Sequence, residues 1–298
     1  QPPTPPGQAG ISRALSKAGL HKRQIQAQHW TPPSKAVTTE YSAEVIMSPR
    51  QTCLACLERE PPAVFEAALW IAAEHDPTLQ PAEVLREFGT LQQQISLGLP
   101  ALPPQELAQP LLRRLSELDF REDDSPPRPQ VALLHKVIQR RRGQPLALAL
   151  IALELARRLE IPLQGVNFPG HFLLRVAGAD HLLDPCGGRR LYTRDCRELL
   201  IRYQGAQAEL SASHMRPCDG RSMLQRLSRN LHHLHLLEED YLAALKDAER
   251  VLLLGAPTVA DHLARAELYQ RLECPQAERF DVQHALLLCD DPAQRMLL

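Results

Sequence analysis

Residues 143–203 restrict the fold of this chain most, because they interrupt a sequence that is otherwise patterned for helices. The strongly apolar stretch 145–159 predicts a buried helix. Two extended segments follow it, at 164–176 and 181–184, and the residues 177–180 between them have the composition of a turn. A buried helix followed by a small antiparallel sheet predicts an α+β fold in a predominantly helical chain.

The rest of the sequence favours helices over sheets. Aromatic residues make up only 4% of the chain, while Leu and Ala dominate it. Residues 47–130 contain segments that start at Pro62, Pro81 and Pro104 and carry apolar side chains at helical spacing. The third segment contains Pro110, which predicts a kink or a late start. An N-terminal helical region over 47–130 is therefore expected.

A polar, proline-rich stretch at 121–130 predicts a linker, and a short helix ended by Gly143 is expected after it. A core domain is expected after the start of this region, over residues 131–215. The first 46 residues are rich in Pro and Gln and are basic before Glu40. Because regular helical patterning begins directly after Met47, residues 1–46 are expected to be disordered or a non-native extension.

The C-terminal stretch contains a repeat. The segments 246–257 and 280–291 lie 34 residues apart and align Asp247 with Asp281. This period is the length of a tetratricopeptide helix pair. Residues 221–298 are therefore predicted to form tetratricopeptide-like repeats. Two copies are too few to bury a core alone, so they are expected to pack onto the preceding domain.

Composition excludes several classes of protein. A formal net charge of -1 gives no electrostatic reason for binding nucleic acid or an anionic membrane. No apolar run reaches the roughly 18 residues that a membrane span needs. Seven cysteines at irregular spacing do not form a secreted disulfide framework, so a cytoplasmic protein is expected. The three histidines of "LHHLHLL" are interpreted as a helix surface rather than a zinc site: His232, His233 and His235. No cofactor or metal is predicted.

The central block has the order of parts that cysteine acyl-transfer enzymes need. Such enzymes place a Cys at the head of a buried helix, a His on a neighbouring strand and an Asp or Asn on the next strand. Here the helix at 145–159 precedes His171, which precedes Asp184. These two residues are the candidates for base and orienting group.

The motifs of this central block resemble those of a known protein family. The stretches "GQPLALALIALELARRLEIPLQGVNFPGHFLLRV" and "LLDPCGG" resemble the SirB family of transglutaminase-like proteins with C-terminal tetratricopeptide repeats. The resemblance covers roughly residues 50 to 298. It implies an α-helical N-terminal region, a transglutaminase-like (papain-like) core and a helical-repeat tail. It also implies a loose connection to regulation, without a defined activity.

The resemblance implies a nucleophilic Cys at the head of the buried helix, in the register set by Pro162. Pro145 occupies that position, and residues 143–159 contain no Cys, Ser or Thr. Proline at the first helical position is a sound structural choice but cannot attack a carbonyl. Cys186 is a weak substitute, because it follows Pro185 in a turn rather than heading a helix.

No catalytic residue is therefore assigned. His171 and Asp184 are interpreted as remnants of a dyad, and the chain is predicted to be a pseudoenzyme that binds an unidentified protein partner through its C-terminal repeats. The alternative is a cryptic hydrolase or acyltransferase that uses His171 and Asp184 with Cys186 or an activated water.

Overall fold

The computed structural model describes residues 47–296. The prediction for residues 1–46 lies outside this part of the chain. The helices of the described residues are α1 Pro49–Leu57, α2 Val64–His75, α3 Pro81–Ser96, α4 Ala108–Glu117, α5 Leu134–Arg140, α6 Pro145–Arg158, α7 Thr193–Gln204, α8 Gly220–Leu237, α9 Tyr241–Leu254, α10 Val259–Arg271, α11 Pro275–Leu288 and α12 Pro292–Arg295. No helix among them is long and apolar enough to cross a membrane.

The strands are short. They are β1 Arg121–Glu122, β2 Arg142–Gly143, β3 Leu163–Val166, β4 Leu173–Val176, β5 Leu182–Leu183 and β6 Arg190–Leu191. The last four form an antiparallel sheet in the order β3-β4-β5-β6, while β1 and β2 pair in parallel. The predicted fold class, α+β and predominantly helical, is confirmed.

The prediction of one extended segment over 164–176 is wrong. This segment is a hairpin in which β3 and β4 pair, with Val166 opposite Leu173. A tight turn at 167–170 reverses the chain, and Gly170 adopts a φ of 73° that favours glycine. The turn ends before β4 begins, so His171 lies in a bend next to the strand rather than in it.

Helix α6 is the centre of the core. Pro145 occupies its first position. The ring of proline fixes φ at a helical value, and proline has no backbone N–H that would be left without an acceptor there. The Ala and Leu residues that follow are strong helix formers, and most of them are buried on all sides of the helix. The helix contacts α4 on one side, β3 and β4 on another and α8 on a third. Each buried Leu contributes about 1.5–3 kcal/mol to folding.

The region before α6 differs from the prediction in two ways. Helix α5 is ended by Arg141, which has a left-handed φ of 55°, and not by Gly143. Gly143 instead lies in β2, where a Cβ would come within 2.6 Å of the Val137 side chain. The predicted linker begins with β1, which places Glu122 directly beside Gly143.

The C-terminal part consists of two helix hairpins, α8–α9 and α10–α11, and each is closed by a short loop. The first hairpin packs against the N-terminal part of the chain through contacts of α8 with α2 and α6, and the second hairpin packs against the first through α9 and α10. The repeated residues Asp247 and Asp281 are both completely buried. Asp281 accepts hydrogen bonds from His262 at 2.8 Å and from Arg265 at 2.7 Å.

Candidate functional site

His171 and Asp184 meet at one end of the four-stranded sheet. Strands β4 and β5 are antiparallel and place Leu174 opposite Leu183, so the residues just before β4 and just after β5 are neighbours. Nε2 of His171 lies 3.7 Å from Oδ2 of Asp184, and both side chains are largely buried. This separation permits electrostatic attraction but exceeds the length of a hydrogen bond.

Asp184 also shapes the turn that follows it. Its Oδ1 accepts a hydrogen bond from the backbone N–H of Cys186 at 2.8 Å. Gly187 and Gly188 continue the turn with positive φ angles of 84° and 72°. Burial alone would raise the pKa of Asp184, but His171 and the Cys186 N–H outweigh it and hold the pKa below its usual range. The carboxylate is therefore charged and already engaged in the turn.

The thiol of Cys186 is poorly suited to nucleophilic attack. Burial raises its pKa far above the usual value, and the negative charges of Asp184 and Glu122 raise it further. The thiolate, not the thiol, is the reactive form. Cys186 also lies in a turn, where no helix dipole stabilises the anion.

The head of α6, where the resemblance implies a thiol, carries none. Pro145 is the first helical residue and Gln144 is the N-cap. The side chain of Gln144 does not cap the helix but accepts a hydrogen bond from Nδ2 of Asn230 on α8, at 2.9 Å. The buried helix and the His–Asp pair are thus both in place, without the attacking atom.

We define the His171 cluster as His171, Asp184, Cys186, Tyr203 and Glu122. The last two residues were not predicted from the sequence. Tyr203 on α7 stacks over the His171 ring, with ring centroids 6.5 Å apart and planes 20° apart. Glu122 on β1 is the second. The pKa of Glu122 is raised, chiefly by partial desolvation and further by the charge of Asp184, although His171 acts in the opposite direction. Glu122 lay in a stretch interpreted as a linker, and its sequence carries no signal of a site.

A second group of titratable side chains lies elsewhere, between α2, α8 and α9. His75, His235 and Asp247 could each offer one ligand to a metal ion, and the three ligand atoms lie within 4.8 Å of one another. The carboxylate of Asp247 is already paired, however, because Nη1 of Arg250 donates to its Oδ1 at 2.7 Å. The group is therefore an ion-pair network as it stands.

This network corrects the interpretation of the histidine run as a helix surface. His233 is exposed, but His235 is buried and its Nδ1 donates to Asp247. His232 is half-buried and contacts the carbonyl oxygen of Ala244. Burial would raise the pKa of Asp247, but hydrogen bonds from His235 and His75 and the charge of Arg250 hold it well below its usual range.

Comparison with known proteins identifies relatives. The family model described as the transglutaminase-like superfamily matches residues 82–229. A UPF0162 protein of Pseudomonas aeruginosa is 60% identical over 254 residues, which cover 85% of this chain and 94% of the relative. A UPF0162 protein of Xylella fastidiosa is 40% identical over 132 residues, covering 42% of this chain and 47% of the relative.

The protein SirB1 of Salmonella typhimurium is 27% identical over 168 residues, covering 55% of this chain and 62% of the relative. No solved structure matches the chain. The matched family region contains α6 and the whole His171 cluster, so the similarity extends over the candidate site.

Proposed function

We propose that this chain, which belongs to the UPF0162 (SirB) family of transglutaminase-like proteins, acts without covalent catalysis, as a regulatory protein that binds a protein partner. One observation carries the proposal. Pro145 stands at the head of α6, and residues 143–159 contain no Cys, Ser or Thr. A covalent acyl intermediate needs such a nucleophile within reach of the base.

The surroundings of His171 support the same function. One oxygen of Asp184 is engaged in the turn. The thiol of Cys186, two residues further on, has a pKa far above its usual value because of its burial and of the negative charges of Asp184 and Glu122. The thiolate is the reactive form, and a thiol with so high a pKa contains almost no thiolate at neutral pH. The pair His171 and Asp184 then serves to hold the end of the sheet rather than to move protons.

The C-terminal helix hairpins support the binding role. They leave large apolar side chains more than half exposed on α9 and α11: Leu242, Leu253, Phe280 and Leu287. Stacked helix pairs present extended surfaces suited to peptides or partner helices. Exposed apolar side chains on such a surface lose water when a partner covers them, which favours association.

The absence of an activated thiol can be tested by alkylation. The full chain is treated with iodoacetamide at pH 7, and the rate at each cysteine is followed by mass spectrometry. Cys186 is expected to react more slowly than the exposed Cys274, which serves as the internal control. A Pro145→Cys variant supplies the missing atom, and its new thiol is expected to react faster than Cys274, because it heads a buried helix. Faster reaction of Cys186 than of Cys274 in the unaltered chain would contradict the proposal.

One observation favours a second candidate function, hydrolysis by a water that His171 activates. Nε2 of His171 is buried and has no hydrogen-bond partner among residues 47–296. A water there would be oriented by the imidazole and by Asp184. Turnover of amide or ester substrates that is lost in His171→Gln and kept in His181→Gln, a histidine of the same sheet region, would favour this candidate and reject the first.

A further inference from the structure

An apolar cavity of about 490 Å³ lies beside the C-terminal half of α6, away from the His171 cluster. Its wall is formed by the start of α2, by α6, by strand β3 at the edge of the sheet and by the start of α8. Apolar side chains dominate the lining: Val64, Phe65, Leu150, Leu153, Leu163 and Met223. This volume falls in the range of about 300–1,000 Å³ that small-molecule sites occupy.

A second cavity of about 310 Å³ continues the first. The two share Leu153, Arg157, Leu163 and Gln164 and therefore adjoin along α6 and β3; we name them together the α6–β3 groove. The second cavity extends the groove to Ala177 at the end of the β3–β4 hairpin. An elongated apolar groove suits a ligand with a long or flat apolar body.

Two charged side chains, Glu154 and Arg157, line the α6–β3 groove and are paired with each other. Glu154 is nearly buried and also receives a hydrogen bond from Arg158, so two guanidinium groups share its carboxylate. Arg158 turns away from the groove, because its guanidinium lies 4.9 Å from the centre of the Phe88 ring. Arg157 remains at the rim with its side chain 56% exposed.

The guanidinium of Arg157 has capacity for one more acceptor. Its Nε and Nη2 hold Glu154, and its Nη1 has no partner within the part of the chain that the structure describes. The thiol of Cys218, which also lines the groove, donates to the carbonyl oxygen of Gly165 at 3.4 Å. The groove therefore offers an anion-binding group at its rim and few polar partners inside.

We propose that the α6–β3 groove binds a small amphipathic anion, with an aliphatic or aromatic body in the cavity and a carboxylate or sulfonate on Arg157. Burial of the ligand's apolar body supplies most of the affinity. The charge-assisted hydrogen bond from Nη1 of Arg157 selects the anion over a neutral molecule of the same shape. This site shares no residue with the His171 cluster and does not depend on the function proposed there.

Binding is tested with the full chain and two matched probes, dodecanoate and dodecanol, by displacement of 1-anilinonaphthalene-8-sulfonate fluorescence. Arg157→Ala is expected to weaken the binding of dodecanoate about tenfold or more, because it removes the charge-assisted hydrogen bond to the carboxylate. The same substitution is expected to change the affinity for dodecanol by less than about twofold, because the hydroxyl of dodecanol carries no charge for Arg157 to bind. Arg194→Ala on α7 is the control, because Arg194 is an exposed arginine paired with a glutamate on its own helix, as Arg157 is.

A filling variant tests the position of the ligand. Leu153→Trp narrows both halves of the groove and is expected to abolish binding of both probes, while circular dichroism confirms that the variant is folded. If Leu153→Trp does not fold, alkylation of Cys218 provides the second measurement, since dodecanoate is expected to slow it without slowing alkylation of the exposed Cys274. No saturable binding, equal loss of both probes in Arg157→Ala, or Cys218 alkylation indifferent to dodecanoate would each overturn the proposal.

Discussion

Nδ1 of His235 on α8 lies 2.7 Å from Oδ2 of Asp247 on α9, and both side chains are buried. The second carboxylate oxygen of Asp247 is shared by Nε2 of His75 on α2, at 2.9 Å, and by Arg250. Arg250 in turn is paired with Glu74, again on α2. One carboxylate therefore joins the first C-terminal hairpin to the N-terminal helices.

Replacement of Asp247 by Asn is expected to destabilise the chain strongly. The variant removes the charge that two imidazoles and Arg250 share and leaves Glu74 as the charged partner of Arg250. Breaking a buried charge pair typically costs about 3–5 kcal/mol. The free energy of unfolding, measured by urea denaturation, should fall by about that amount. The control is Glu198→Gln, which breaks an exposed pair with Arg194 and should change stability by less than about 1 kcal/mol. A loss for Asp247→Asn as small as that of the control would show that the network is not coupled to folding.

The same carboxylate predicts a dependence of stability on pH. The pKa of Asp247 in the folded chain lies below the unfolded value of about 3.9, so the unfolded state binds more protons in acid. Its contribution to stability is complete above about pH 5 and is lost as the pH falls through the folded pKa. Between pH 5 and pH 3 the wild-type chain should therefore lose more stability than Asp247→Asn, as measured by urea denaturation across that interval. Parallel pH profiles for the two chains would contradict this assignment.

The sequence repeat and the buried network illustrate what could be predicted. Asp247 and Asp281 stand out because a fixed spacing places them at the same position of successive hairpins, and periodicity is visible in one dimension. The burial of these two carboxylates and the identity of their partners could not be predicted from the sequence. His75 is 172 residues from Asp247, and a contact between distant helices leaves no periodic trace in either segment.

The candidate site shows the same limit. His171 and Asp184 could be placed at one end of the sheet because strand order and alternation predict neighbouring strands. Glu122 could not, since β1 is only two residues long and lies in a proline-rich stretch without alternation. The turn at 167–170 was missed although Asn167, Pro169 and Gly170 are typical turn residues, because the extended patterns on its two sides were interpreted as a single segment.

The turn role of Asp184 predicts different costs for two substitutions. Asp184→Ala removes the acceptor of the Cys186 N–H and should lower the free energy of unfolding by about 1.5–3 kcal/mol, the usual contribution of a hydrogen bond to a charged group. Asp184→Asn keeps an oxygen acceptor and should cost less than half as much. Urea denaturation of both variants is the measurement. Equal costs would indicate that the charge facing His171, not the hydrogen bond to the turn, is the important contribution.

The tight turn before His171 packs closely against Tyr203 of α7. Gly170 has a φ of 73°, and a Cβ added to it would lie 2.1 Å from Cγ and 2.5 Å from Cβ of Tyr203. Tyr203 cannot relieve this by rotating its ring, because its own Cβ is in the way, so α7 or the turn must shift. Gly170→Ala should therefore cost backbone strain of about 1–2 kcal/mol and a further 1–3 kcal/mol of overpacking.

Gly178 offers a matched comparison for Gly170, since its φ is 81° and a Cβ there would meet nothing within 4 Å. Gly178→Ala should cost only the backbone strain of about 1–2 kcal/mol. The difference between the two variants in urea denaturation then measures the contact between the turn and Tyr203 alone. A difference near zero would mean that α7 shifts at little cost in free energy. The stacking of Tyr203 on His171 would then not hold the site in place.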